Sequence, residues 1–302
     1  MSQTLKNYLL PIAMLTGVVL HPWLSRLIFI TPGLIFVMLL LTFARMSFKD
    51  LQLRGLHVVL LAAQLGGSIL AYMLLAPLNP LLAQGVLICV MAPTATSAAV
   101  ITGMLGGDLA FTASFIFLSN VGVAVAAPLF FASLGGHGDL TFWNSFLAIF
   151  RQVMPILLLP LVCVWSAQRL LPRLHGWLVS KTMYSFYLWG VSLSIVMANT
   201  VNFMLHQENP DYANEVYLIA GAFVVCALQF FVGKALGGMF HDRISGGQAL
   251  GQKNTVLAIW MALMFASPLT SIAPASYVLW QNLFNSWQLW RKQRGAGAAP
   301  KV

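Results

Sequence analysis

Apolar residues in this chain gather into long runs. Ten of them approach the ~20 residues needed to cross ~30 Å of hydrocarbon as a helix, over residues 8–23, 29–46, 56–78, 81–104, 109–134, 153–171, 183–205, 216–240, 249–266 and 269–290. The pattern predicts an all-α membrane protein of ten transmembrane helices. These divide into two five-helix repeats, residues 1–140 and 141–294, followed by a disordered cytoplasmic tail over 295–302. An odd number of crossings per repeat forces the second repeat to be inverted relative to the first.

The fourth span of each repeat is interrupted. In the first repeat it reads Met91-Ala92-Pro93-Thr94-Ala95-Thr96-Ser97, where Pro93 removes a backbone donor and disfavours helix at Ala92. In the second, the glycine-rich Ser245-Gly246-Gly247-Gln248 leads in and the chain is polar through Gln252, Lys253, Asn254 and Thr255. Paired interruptions in matching spans point to the midplane site of a secondary transporter. A helix broken in the bilayer leaves N–H and C=O groups that lipid cannot satisfy, so the break lines a polar cavity or is buried in protein. The N-termini of the half-helices carry partial positive charge and attract anions. Lys253 adds an ammonium there, at a cost of at least ~2.5–3.5 kcal/mol at membrane depth. A pocket built from these parts favours anions.

Composition narrows the setting. The chain is 59% hydrophobic and 8% charged, against roughly 25% charged in an ordinary soluble domain, so water is not its main solvent. With a cytoplasmic N-terminus, Lys6, Arg45, Lys49, Arg54, Arg169, Arg173, Lys181, Lys234, Arg243, Arg291, Lys292, Arg294 and Lys301 fall on the cytoplasmic side. Arg26 and Arg151 fall opposite, with the acidic cluster Glu208, Asp211 and Glu215. The net charge of +9 is thus an orientation signal with both termini cytoplasmic, and no nucleic-acid partner is expected. No small-x-small cleavage site follows the first apolar run, so it stays as the first helix. Cys89, Cys163 and Cys226 are expected to be small buried apolar residues without a metal. His21, His57, His137, His175, His206 and His241 fall near span ends, where interfacial placement is expected.

Gln64, Pro93-Thr94-Ala95-Thr96-Ser97, Leu105-Gly106-Gly107 and above all Gly251-Gln252-Lys253-Asn254-Thr255, with Ser267-Pro268-Leu269 and Tyr277-Val278-Leu279-Trp280-Gln281-Asn282 after it, carry a resemblance to a known family. The chain resembles the bile acid:sodium symporter family, in one of its bacterial branches. The likeness covers nearly the whole chain in span number and order, with matching motifs in the fourth, fifth, ninth and tenth spans. It implies a panel domain (spans 1, 2, 6 and 7), a core domain (spans 3–5 and 8–10), unwound helices 4 and 9 that cross near the midplane, and alternating access in a bacterial inner membrane. It also implies sodium held by side-chain oxygens, and there the residues depart. The family's ninth-span glutamate falls on Ala249, and the glutamine after it falls on Lys253. The fourth-span Ser-Asn pair becomes Ser97-Ala98, or Ala98-Ala99 in a register one residue along. Of the fifth-span hydroxyls Thr112 is kept and the other becomes Ile116, while Gln64 is retained. A site that has lost its carboxylate and gained a cation is expected not to couple to sodium.

Two functional roles are open to Lys253, beside a structural one. It is a tethered cation in place of sodium, held by Gln64, Thr96 or Ser97 and by backbone carbonyls, or it is a proton carrier, since burial lowers a lysine pKa. The structural reading has it snorkelling to the cytoplasmic interface. Gln252, Asn254 and Thr255 flank the break and are candidate site residues. Pro93, Thr94, Thr96, Ser97, Gln64 and Thr112 complete the set. Asn120 and Asn199 are read as interhelical hydrogen-bonding residues. An intramembrane enzyme would need a nucleophile and base on facing spans; Asp108 reads instead as a helix cap, so no catalysis and no cofactor is expected. The expected partners are the bilayer and a small organic anion, joined by protons in the proton-carrier alternative. A sodium- or proton-coupled symporter and an anion channel are the other readings.

Overall fold

The computed structural model describes residues 3–46, 51–134, 142–207 and 210–297; Lys49, His137 and Glu208 lie outside them. In chain order come α1 (Gln3–Val19), α2 (His21–Leu24), a 3-10 turn (Ser25–Ile30), α3 (Thr31–Phe43), α4 (Gly55–Leu75) and α5 (Pro80–Met91). Next are α6 (Ser97–Leu105), α7 (Leu109–Ser133), α8 (Phe142–Leu170), α9 (Pro172–Ser180) and α10 (Tyr184–Leu205). The chain ends with α11 (Tyr212–Met239), α12 (Arg243–Gly251), α13 (Thr255–Phe265), a second 3-10 turn (Pro268–Ser271) and α14 (Ile272–Gly297). The described residues are all-helical, with one isolated antiparallel bridge between Thr94 and Lys253.

Among the described residues, six helical segments are long and apolar enough to cross a membrane: His21–Phe43, Gly55–Leu75, Leu109–Ser133, Phe142–Leu170, Tyr184–Leu205 and Tyr212–Met239. The protein is thus a multi-pass helical membrane protein. The fourth and ninth expected spans are each two short helices, α5 with α6 and α12 with α13. The first two expected spans meet at Leu20 rather than beyond Trp23, because Pro22 lies in the opening turn of α2, where its missing N–H costs nothing. The last helix reaches Gly297, three residues into the segment expected to be a disordered tail.

The chain forms two compact units, each drawing on both sequence halves. One comprises Met1–Lys49, Ala124–Ala213 and Val256–Ile272; the other comprises Asp50–Val123, Asn214–Thr255 and Ala273–Val302. In the first, α10 packs against α1 and α3, and α3 against α8. Polar contacts there join helix to helix: Ser194 donates to the Ala13 carbonyl at 2.9 Å, Thr200 and Ser271 share a 3.0 Å bond, and Asn199 reaches the Ser25 carbonyl. Cys163 is exposed, against expectation: in a membrane protein an outward apolar face is as good a place for a thiol as a core.

The second unit packs α4 against α5 and α12 against α6 and α4, around a core of Leu56, Leu60, Phe111, Phe115, Ala249 and Leu250. Without water to drive apolar helices together, close backbone approach does the work. Gly233 on α11 meets Gly246 on α12 so tightly that a Cβ on either would lie 2.3–2.4 Å from the other's carbonyl oxygen. His57 is buried rather than interfacial: its Nδ1 accepts the Arg54 N–H at 2.9 Å, leaving Nε2–H to donate to the Phe111 carbonyl at 3.1 Å. Asp108 caps α7 through the Phe111 N–H (2.9 Å) and pairs with Arg54 at 3.0 Å.

Candidate functional site

The second unit holds the two helix breaks against each other. α5 stops at Met91 because Ala92, obliged by Pro93 to leave helical geometry, takes φ −45° and ψ 138°. No proline stops α12; there Gln252 is extended, with φ −93° and ψ 115°. What holds the second break open is the first. Asn254 N–H donates to the Pro93 carbonyl at 2.8 Å and Ala95 N–H to the Gln252 carbonyl at 3.1 Å, so each unwound stretch supplies backbone partners that the other has lost.

Four carbonyls at the end of α5, residues 89–92, would normally be orphaned. Cys89 loses its partner because Pro93 has no N–H; the amides of Thr94 and Ala95, which would have served Val90 and Met91, go to the Ser119 hydroxyl and to Gln252. Side chains take over all four. Gln229 Nε2 approaches the Cys89 carbonyl at 3.4 Å, Lys253 Nζ donates to Val90 at 2.8 Å, and Gln64 Nε2 donates to both Met91 and Ala92 at 2.9 Å. Lys253 therefore places its amino group at a helix C-terminus, where the dipole favours a positive charge. Its side chain is 1% exposed, which excludes snorkelling. The amino group is held by the Val90 carbonyl and not by Gln64, Thr96 or Ser97: Gln64 donates to the Met91 and Ala92 carbonyls and its Oε1 accepts from Ser119 at 3.0 Å.

The other predicted residues divide. Thr94 is buried and its hydroxyl donates to the Ala249 carbonyl at 2.7 Å, closing the end of α12. Ser97, exposed at the start of α6, donates to Gln252 Oε1 at 2.8 Å, and Gln252 Nε2 donates to Gln248 Oε1 at 2.9 Å. Thr96, half-buried, precedes α6 without capping it. Asn254 and Thr255 are buried, and Thr255 Oγ1 has no hydrogen-bond partner. Thr112 is not brought to the crossing. It bonds to Thr102 Oγ1 and the Asp108 carbonyl, at 3.1 and 3.0 Å, and ties α6 to the start of α7.

Sequence reasoning missed Ser119, Gln229, Tyr277 and Gln281 as parts of this arrangement. Tyr277 donates to the Gly251 carbonyl at 2.9 Å and accepts from Gln229 Nε2 at 3.0 Å; Gln281 Oε1 accepts the Lys253 amide at 2.9 Å. Ser119 follows Thr112 by seven residues, one face of one helix, and that spacing was its available signal. The crossing thus offers one buried lysine amino group, the start of two half-helices, and three buried polar groups without a partner among the described residues, Thr255 Oγ1, Gln248 Nε2 and Gln229 Oε1. Chemically it can accept a negative group. Neither protein-family models nor proteins of known function give a match to the chain.

Proposed function

We propose that this protein is a secondary transporter of a small organic anion, of the bile acid:sodium symporter type, in a bacterial inner membrane with both termini cytoplasmic. In this reading the ten spans form two inverted repeats, the crossing of the fourth and ninth spans is the substrate site, and Lys253 stands where the family holds its coupling cation. Transport is independent of sodium. The observation that carries the reading is the placement of Lys253: a fully buried ammonium, bonded to the carbonyl end of a broken helix, at the position where the resembled family has a neutral glutamine. Such a charge is costly to keep at membrane depth, and an anionic substrate arriving beside it offsets that cost. Ser97, Gln252, Asn254 and Thr255 line the approach, while Gln64, Pro93 and Thr94 hold the crossing open.

Flux into proteoliposomes of a panel of radiolabelled organic anions, with sodium and proton gradients imposed in turn, tests the reading. We expect uptake of at least one anion, unaffected by sodium, and at least tenfold slower in Lys253→Gln, which keeps a donor for Val90 but removes the charge. Sodium-driven uptake would sink the tethered-cation account. A proton-driven flux abolished in Lys253→Gln would instead make the lysine a proton carrier, and currents far above carrier rates would make the protein a channel.

A further inference from the structure

One end of the second unit carries positive charge that its acids do not balance. Lys234 near the end of α11 lays its stem on Gly247 of α12, one turn from Arg243, and the Phe230–Phe284 contact that joins α11 to α14 lies one turn before Lys234 and two turns before Arg291, so the three cations fall at the same end. Two carboxylates lie nearby: Asp108 pairs with Arg54, and Asp242 accepts from the Ser245 amide through Oδ1 while its Oδ2 has no partner among the described residues, so one unpaired acid stands against three cations. Lys234 is not a loose surface residue: its stem crosses Gly247 so closely that a Cβ there would lie 2.6 Å from the lysine Cγ. The glycine lets the half-buried lysine stem lie against α12, at whose start Arg243 sits, although like charges repel.

Below these cations runs an apolar face. α11 and α14 are joined by the Phe223–Trp280, Phe223–Phe284 and Phe230–Phe284 ring contacts, and beside that seam Phe231, Leu283 and Trp287 are exposed. Trp287 also stacks with Arg291, whose guanidinium lies 5.6 Å from the ring centroid. Acyl chains suit such a face, and an anionic headgroup suits the charges at its end; basic pockets between membrane helices bind acidic lipids on these terms. We propose that α11, α12 and α14 form a binding site for an anionic phospholipid, its phosphate held by Lys234, Arg243 and Arg291 and its chains lying along Phe231, Leu283 and Trp287.

Native mass spectrometry and thermal unfolding of the purified full chain, with phosphatidylglycerol, cardiolipin, phosphatidylcholine or inorganic phosphate added, test this. The acidic lipids should remain bound and raise the melting temperature by several degrees, with phosphatidylcholine and phosphate far less effective. Retention should fall about fivefold for each cation replaced by glutamine, read first in Arg291→Gln, an exposed position suited to substitution, and then in the triple variant. Lys253→Gln should bind lipid as the wild type does, which separates this site from the transport site. Equal stabilisation by phosphatidylcholine, or unchanged retention in both glutamine variants, would overturn the proposal; a phosphate effect matching that of the acidic lipids would make this a site for free anions and overturn it equally.

Discussion

Replacing Gln64 with leucine removes one side chain and strands three buried groups at the first helix break. The carbonyls of Met91 and Ala92 each lose their donor, and the Ser119 hydroxyl loses its acceptor. Gln64 is 1% exposed, so water does not replace it without opening the packing. An unmade buried hydrogen bond costs about 1–3 kcal/mol, and the low end applies in membrane proteins, where the unfolded reference also finds partners. Three groups at that end give about 3 kcal/mol. At 1.4 kcal/mol per tenfold, this shifts the unfolding equilibrium by roughly two powers of ten. Reversible unfolding in mixed detergent–SDS micelles, followed by tryptophan fluorescence, measures the shift. Amide exchange over residues 88–97 locates it, because the Thr94 amide depends on Ser119, which Gln64 orients. Ser119→Ala should cost less than Gln64→Leu, since it leaves both carbonyls capped. If Gln64→Leu unfolds within about 0.5 kcal/mol of the wild type and the exchange of this segment is unchanged, side-chain capping does not hold the break together.

Two further outcomes follow from the geometry. A methyl at Gly251 would lie 2.4–2.5 Å from three carbons of the Phe230 ring, so Gly251→Ala should cost about 1–3 kcal/mol by overpacking; Phe230→Leu in the same chain should restore at least half of that loss in a double-mutant cycle, and strictly additive losses would show that the ring is not the obstacle. Asp108 is held below the usual carboxylate range, first by the Phe111 N–H and then by Arg54. A depressed folded-state value means that its stabilisation is complete above the unfolded pKa of about 3.9 and is lost as pH falls through the folded value. The wild type should therefore lose more stability between pH 6 and pH 3 than Asp108→Asn, and equal losses would remove Asp108 from the acid response.

Much of the candidate site could be read in advance because two of its causes are local. Pro93 announces its break through its own covalent chemistry, and a lysine in an apolar run announces itself by its solvation cost. The second break has no such marker. Gln252 and Asn254 leave the helix because Ala95 and Pro93 supply partners from a segment about 160 residues away, a fact no local window contains. For the same reason Thr112 was misplaced: resemblance put it at the ion site, whereas its hydroxyl faces Thr102. Ser119, seven residues on, takes the inward position.

What the amino-acid order determined by itself was the solvent and the menu of elements: long apolar runs that become helices, and a proline that ends α5. The tertiary structure decided which donors meet the carbonyls of residues 89–92, that Lys253 points into the protein and not to the interface, and that Lys234 lies across α12 at Gly247. The physical reason is range. Helix formation and membrane insertion are settled over about 20 neighbouring residues, whereas the satisfaction of a broken helix depends on groups that only folding brings within 3 Å.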